Sequence, residues 1–229
     1  MSPDNPLLRA LLVQPDDDIL RLAMADWFEE TGDSGRASFI RIQLELAGGV
    51  ADAGRRRELE RQQRDLLVAH DHEWVQPLAK ALKCKPGEWG GWVFRGGFVE
   101  YFRLPAATIN QYGHRLAQLT PIRELLLLPC EAPDVVALTE HPWLQSVTHL
   151  HLEGLRLTPE VGEALIECPF LTSLRALWYG GDEMPANLSA AFARHFRGRA
   201  TATGYYPPTN APPPAPLGET AAGGVTHDG

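Results

Sequence analysis

Two histidines in one predicted strand are the residues of this chain best placed to do chemistry. His149 and His151 are separated by one residue, and Glu153 continues the same spacing. Alternate side chains of a strand project to the same side, and we expect Glu124 on the neighbouring strand beside His149. Imidazoles and a carboxylate on one face are the types of ligand that zinc binds in proteins. If only three of them bound the metal, one coordination position would stay open. The other interpretation, which we favour because zinc motifs are usually longer, is a polar stripe of ordinary contact residues.

The sequence lacks the short motifs that usually mark an enzyme. It contains no G-x-S-x-G, no H-E-x-x-H and no P-loop. The pairs Gly90-Gly91 and Gly96-Gly97 precede no helix start with Lys, Ser or Thr, so we interpret them as turns and not as a phosphate cradle. We therefore expect no enzymatic activity, no catalytic residue, no metal and no cofactor. A metal-dependent enzyme or metal sensor that uses the two histidines and a nearby carboxylate is the alternative.

The strand that carries the histidines belongs to a repeated pattern. Four segments fit L-x-x-L-x-L, and they begin at Val99, Ile122, Val147 and Leu174. These intervals lie within the roughly 20 to 29 residues of leucine-rich repeats. Helix-compatible runs separate the segments, and a His-Pro or Cys-Pro step occupies the same place before the last two. The alternation predicts a small solenoid with a parallel sheet along one wall.

The same pattern predicts a binding surface. The leucines are expected to point into the coil, so the alternating positions line the open side of the sheet. We expect partner-binding residues at Tyr101, Arg103, Glu124, Leu126, Leu128, His149, His151, Glu153 and Trp178. Tryptophan, tyrosine and arginine tend to dominate the energy of protein interfaces. In the competing interpretation, the N-terminal helices or the C-terminal tail cover part of this surface.

The first 47 residues are predicted to form three short helices. Asn5-Pro6 and Asp16-Asp17-Asp18 have the composition of helix starts. Asp26, in the second helix, has no serine, cysteine or histidine near it in its segment, so we expect it to pair with Arg41 or Arg21 and not to act in catalysis.

The segment from Leu7 to Leu46 resembles the repeat-companion domain, a short bacterial module found beside leucine-rich and other repeats. The resemblance is carried by Ala25-Asp26-Trp27-Phe28-Glu29-Glu30 and by the downstream Phe39-Ile40-Arg41-Ile42-Gln43. Arg95-Gly96-Gly97-Phe98-Val99 and the Cys-Pro-x-Leu step at Cys168 also resemble the repeat arrays that follow that module. The resemblance covers most of residues 5–195. Because the module has no established biochemical activity, the resemblance implies only an interaction role.

Together these features predict an α/β protein with four segments. They are an N-terminal helical repeat-companion module (1–47), bridging helices with the start of a β-hairpin (48–95), a short leucine-rich-repeat solenoid with a parallel sheet (96–206), and a disordered Pro/Gly-rich tail (207–229). We expect the charged helix of the second segment to reach about His70, with a shorter segment following around Trp74. Arg95-Gly96-Gly97 lies between two aromatic-rich runs, which predicts the hairpin, and 200–205 predicts a terminal strand.

Charge and cysteine usage narrow the class of partner. The net charge is -8, and only residues 48–95 are basic, where arginines from Arg55 to Arg64 alternate with acidic residues at helical spacing. Such a face is typical of a solvated, ion-paired helix, so we expect nucleic acid to be an unlikely partner. Three scattered cysteines, no signal-like N-terminus and no apolar run near the ~18 to 20 residues of a membrane span indicate a cytoplasmic protein. From the predicted binding surface of the sheet we expect the partner to be another protein, and we expect no membrane partner.

Overall fold

A computed structural model describes residues 3–85 and 88–202 of the chain. In this part the fold is α/β, with eight α-helices and one six-stranded sheet that is mostly parallel. The helices are α1 Pro6–Val13, α2 Asp18–Glu30, α3 Ser34–Ala47, α4 Ala53–Leu82, α5 Ala106–Leu116, α6 Ala132–Leu138, α7 Pro159–Glu167 and α8 Ala186–His195. The strands are β1 Gly91–Arg95, β2 Phe98–Leu104, β3 Glu124–Leu127, β4 His149–Leu157, β5 Ala176–Asp182 and β6 Ala200–Ala202. The tail 207–229, predicted to be disordered, lies outside the described residues.

The strands lie side by side in chain order, from β1 to β6. The hairpin β1–β2 is antiparallel, and every later pairing is parallel. Each parallel connection passes through one of the helices α5 to α8, and α4 to α8 pack against one another in the same order. The alternation of strand and helix predicted from L-x-x-L-x-L is confirmed, and β6 confirms the start of the predicted terminal strand, whose residues 203–205 lie outside the described part.

The main core lies between the sheet and the row of helices. The repeated leucines of β3, β4 and β5 lie side by side in it, for example Leu125, Leu150 and Leu177, all fully buried. Full burial of one such side chain stabilises the fold by roughly 1.5–3 kcal/mol relative to exposure. Because the side chains of a strand alternate, the residues between these leucines must face away from the helices.

The three predicted N-terminal helices are present, and α1 and α2 start where the sequence predicts, whereas α3 begins at Ser34, inside the segment expected to be a turn. The side chain of Asn5 accepts hydrogen bonds from the first turn of α1, and Asp17 caps α2 in the same way. Pro6 occupies the first turn of α1, where its missing N–H costs nothing. Helices α1 to α3 enclose a second, smaller core, and Phe98 of β2 completes it. The helical module therefore shares its core with the hairpin.

One prediction about the bridging segment is wrong. Instead of a helix to His70 followed by a separate segment, α4 runs without interruption from Ala53 to Leu82 and contains Pro77. Trp74, Leu78 and Leu82 recur at helical spacing and are buried in the main core, and their burial offsets the cost of roughly 3 kcal/mol that proline imposes inside a helix. The outer surface of α4 is strongly charged. Of the helices in the described ranges, none has both the length and the apolar character needed to cross a membrane.

The hairpin turn is the contact point between the N-terminal module and the sheet. Gly96 and Gly97 form the turn with φ angles of 51° and 87°, which glycine adopts at little cost. A Cβ added at Gly97 would overlap Ile40 of α3. The Gln43 side chain brackets the turn, since it donates to the carbonyl of Phe94 and accepts from the amide of Gly97. The predicted hairpin is confirmed, and α3 fixes its position.

Candidate functional site

The strand register places most of the predicted binding residues on one surface, which we call the open face. Tyr101, Glu124 and His149 are direct neighbours on β2, β3 and β4. A second row, one pleat further along, consists of Arg103, Leu126, His151 and Trp178. Both rows alternate with the buried leucines, so they lie on the side of the sheet that faces away from α5 to α8.

A carboxylate at the centre of the open face joins three strands. Glu124 accepts a hydrogen bond from Nη2 of Arg95, 2.8 Å away, and its other oxygen lies 3.0 Å from Nε2 of His151. Burial raises the pKa of Glu124, but the hydrogen bonds from His151 and Arg95 together outweigh it, so this pKa falls to about 2. Glu124 is therefore a fixed anion at neutral pH that holds the side chains of β1 and β4 in place.

Beside this carboxylate lies an aromatic stack. The ring of His151 lies parallel to the indole of Trp178, with centroids 4.0 Å apart and an interplanar angle of 11°. The ring of His149 also lies nearly parallel to this indole, with centroids 5.9 Å apart and an interplanar angle of 16°. All three side chains are partly exposed. Because these rings are already held in place, they would lose little further conformational entropy if another molecule bound to their exposed surface.

The remaining predicted residues differ in accessibility. Leu126 is buried, with 3% of its surface exposed, because it lies between the longer side chains of Arg103 and His151. It therefore offers a partner almost no surface. Tyr101 and Arg103 are partly exposed. Arg103 lies over Gly90, where an added Cβ would overlap its stem.

Two predicted residues lie at the margin of the open face. Leu128 is partly exposed, follows the end of β3 and bonds through its amide to the carbonyl of Leu104. Glu153 belongs to β4, but its side chain lies outside the described residues. The register irregularity of β4 lies between Leu152 and Arg156, around Gly154 with a φ of 74°. The regular two-row pattern therefore ends at His151 and Trp178.

Each of the two histidines has a hydrogen-bond partner among the described residues. His149 Nδ1 lies 2.8 Å from the hydroxyl of Thr148, and His151 is held by Glu124. Burial lowers the pKa of His149. Within residues 3–85 and 88–202, no group of three His, Cys, Asp or Glu side chains could hold a metal ion. The geometry favours contact residues over a zinc site.

Sequence reasoning missed Arg95, which donates a hydrogen bond to Glu124 on the open face, 2.8 Å away. Arg95 lies in β1, which has no L-x-x-L-x-L pattern and pairs with β2 through a bulge between Val93 and Phe94. The bulge changes which side chains face each side, so spacing alone could not place Arg95. The sequence feature that could have pointed to Arg95 is its position directly before the Gly96-Gly97 turn.

The N-terminal module reaches only the edge of the open face. Arg21 of α2 pairs with the buried Glu100, at 2.5 Å, and the exposed Asp16 binds Arg123 ahead of β3. Both contacts lie at the strand starts, before the rows that carry the histidines. Among the described residues, the module therefore covers the start of β2 and leaves His151 and Trp178 partly exposed.

Two of the five arginines of α4 between Arg55 and Arg64 are paired with acidic groups. Arg55 binds Glu45 of α3, and Arg61 binds Glu58 on the preceding turn and Asp65 on the following turn. The Asp26 pairing with Arg41 is also confirmed, at 2.8 Å. The charges of Arg55 and Arg61 are therefore compensated within the protein, and nucleic acid as an unlikely partner stays a prediction.

Comparison of the chain with protein-family models, with curated proteins and with solved structures finds no match.

Proposed function

We propose that this chain is a non-enzymatic protein-binding module that uses the open face of its sheet. In this proposal residues 96–206 are a short leucine-rich-repeat solenoid, and α1 to α3 are a repeat-companion domain that closes its first end. The sequential strand order and the stacked helices α4 to α8 support the solenoid. The free thiols of Cys84, Cys130 and Cys168 support a cytoplasmic location, because disulfides are rare in reducing compartments.

The observation that carries the proposal is the stack of His151 on Trp178 beside the Glu124–Arg95 pair. It combines a rigid, partly exposed aromatic surface with a fixed anion and cation, which is the composition of an interface hot spot. The neighbouring Tyr101 and Arg103 extend the same surface toward the hairpin.

A comparative capture experiment tests this role. His151→Ala/Trp178→Ala removes the stack from a partly exposed surface, so the variant should fold and lose the proteins that wild-type protein captures from its native lysate. Quantitative mass spectrometry of the two samples should show at least a tenfold loss of specific partners, since truncation of a hot spot costs ~2 kcal/mol or more.

The matched control is Arg61→Ala/Val68→Ala on α4, which also removes one polar or charged and one apolar side chain. Val68 is 90% exposed and Arg61 belongs to a surface ion-pair network. This control should capture the wild-type set. Identical partner lists for all three proteins would exclude the open face as the binding surface.

A further inference from the structure

The chain leaves the described part of the fold beside the aromatic stack of the open face. β6 runs parallel to β5, and the register pairs Thr201 with Trp178. Trp178 is in turn the direct neighbour of His151 on β4. Because adjacent strands lie roughly 4.8 Å apart, the backbone of both stacked residues is within about 12 Å of Ala202, the last residue of β6. The residues that follow Ala202 therefore start next to this surface.

This end of the sheet has no covering repeat. Among residues 3–85 and 88–202, no strand follows β6 in the sheet order, and β6 has only three residues. Thr201 and Ala202 are exposed. Repeat arrays normally end in a capping element, because the last repeat has no neighbour to cover it. The end of the open face at Trp178 is therefore accessible to a segment that comes after β6.

The sequence after β6 has the composition that suits an exposed aromatic surface. Five prolines lie within residues 207–214, which we call the proline segment, as Pro207-Pro208 and Pro212-Pro213-Pro214. A sequence so poor in large apolar residues cannot form a core of its own. Proline-rich sequences bind instead to exposed aromatic rings, since the φ angle of proline is already restricted and little conformational entropy is lost. The proline segment therefore matches the chemistry of the His151 and Trp178 rings.

Chain length and charge agree with this match. Residues 203–206 connect β6 to the proline segment, and five extended residue steps from Ala202 span up to roughly 16 Å, enough to reach the stack. Gly204 lies in this connection, and glycine allows a sharp turn at little cost. Residues 203–229 contain no lysine or arginine, so they bring neither of these cations toward Arg95 and Arg103 of the open face.

We propose that the proline segment binds the open face of its own chain, with its prolines against the exposed rings of His151 and Trp178. A short covalent connection gives an effective concentration in the millimolar range, so a weak affinity is enough to keep the face occupied. A protein partner then has to displace the segment. This displacement rests on the proposed function, whereas binding of the segment is measured without any partner, so the two proposals can fail separately.

The test uses the full chain and the indole N–H resonance of Trp178, assigned among the six tryptophans by its loss in Trp178→Phe. A serine variant, which keeps the length and net charge of the chain and changes no described residue, combines Pro207→Ser, Pro208→Ser, Pro212→Ser, Pro213→Ser and Pro214→Ser. The Trp178 resonance should move in the serine variant, and a synthetic peptide of residues 205–216 should return it in a saturable way. An identical Trp178 resonance in wild type and serine variant would overturn the proposal.

The matched control changes the same end of the chain outside the proline segment. Ala221→Ser/Ala222→Ser/Val225→Ser should leave the Trp178 resonance at its wild-type position, and an equal displacement in this control contradicts the role of the prolines. The wild-type resonance should also be independent of protein concentration. A resonance that changed on dilution, together with dimers in sedimentation, would assign the segment to a second copy and overturn binding within one chain.

Variants of the open face assign the contact to the stack. In the serine variant, His151→Ala should weaken binding of the peptide at least tenfold, because it removes one ring and keeps Trp178 as the probe. Arg61→Ala, on the exposed surface of α4, is the control and should bind the peptide as the serine variant does. If His151→Ala does not fold, His149→Ala should weaken the peptide several-fold. An unchanged affinity in the folded histidine variant, or an equal loss in Arg61→Ala, excludes the stack as the binding site.

Capture from the native lysate separates this inference from the proposed function. The serine variant should capture several-fold more of the proteins that wild type captures, because its open face is not occupied. If Trp178 responds to the prolines and capture depends on neither the prolines nor His151 and Trp178, the segment binds the face and the partner role fails. If capture requires His151 and Trp178 but the Trp178 resonance ignores the prolines, the partner role stands and this inference fails.

Discussion

Two hydrogen-bonded polar networks of the hairpin and sheet differ in what lies next to them. At the docked edge, where the N-terminal module meets the hairpin, Arg21 donates to the carbonyls of Pro15, Arg95 and Gly96 and pairs with Glu100. On the open face, the Glu124 pair is similarly satisfied, but it supports rings that remain partly exposed. The first network joins the N-terminal module to the hairpin, whereas the second fixes a partly exposed surface, which binds a partner in the proposed function.

The largest effect is expected at the docked edge. Arg21→Ala should lower the free energy of unfolding by about 3–5 kcal/mol, because it leaves Glu100 buried without its cation and removes the contacts to the hairpin turn. Urea denaturation at neutral pH measures the change.

The control for this prediction is Arg41→Ala, which breaks exposed ion pairs with Asp26 and Glu29 and should cost about 1 kcal/mol or less. The double variant Arg21→Met/Glu100→Leu should recover much of the stability, since it removes both charges from the buried position. If Arg21→Ala and Arg41→Ala lowered the free energy of unfolding by the same small amount, the contacts of the docked edge would not stabilise the fold.

The next effect tests the contact between the hairpin turn and α3. Gly97 and Gly49 have nearly the same φ, 87° and 85°, but an added Cβ at Gly97 would overlap Ile40, whereas at Gly49 it would meet nothing within 4 Å. Gly97→Ala should therefore cost about 3 kcal/mol and Gly49→Ala about 1 kcal/mol, the latter from backbone strain alone. Thermal and urea unfolding of both variants gives the comparison. Equal losses would mean that α3 yields to the added methyl group.

The residues of the open face could be predicted because the sequence pattern that places them is local. Alternation within a strand and a repeat near 25 residues were enough to place Glu124 beside His149 and His151 beside Trp178. The hydrogen bond of Glu124 goes instead to His151, diagonally across the register. Which of two nearby imidazoles a carboxylate reaches depends on side-chain rotamers, and residue spacing does not specify them.

The docked edge could not be predicted in the same way. Arg21 and Glu100 are 79 residues apart, and each is of a type usually found in solvent. The burial of Arg36 could not be predicted either, because nothing in its neighbourhood in the sequence distinguishes it from the exposed Arg41. The continuity of α4 past His70 was missed as well, since it depends on burial of Trp74 and Leu78 in the main core.

The smallest stability effect is expected on the open face, and it should depend on pH. Glu124→Gln weakens charge-assisted hydrogen bonds to Arg95 and His151 and should cost about 1–2 kcal/mol at pH 7. Because the pKa of Glu124 is about 2 in the folded protein and its ordinary value is 4.5, the wild type has this stabilisation above pH 4.5 and loses it as the pH falls toward 2.

Wild type and Glu124→Gln should therefore differ most above pH 5 and converge as the pH approaches 2, which urea titrations at several pH values measure. Glu45→Gln, which alters an exposed pair with Arg55, should change stability less at every pH. A gap between wild type and Glu124→Gln that stayed constant down to pH 2 would show that the carboxylate is not held by charge, and the contrast with Arg21 and Glu100 would then be one of burial alone. The predicted convergence instead makes Glu124 a charged support for the His151 and Trp178 rings, which contributes modestly to stability and mainly fixes the positions of these partly exposed rings.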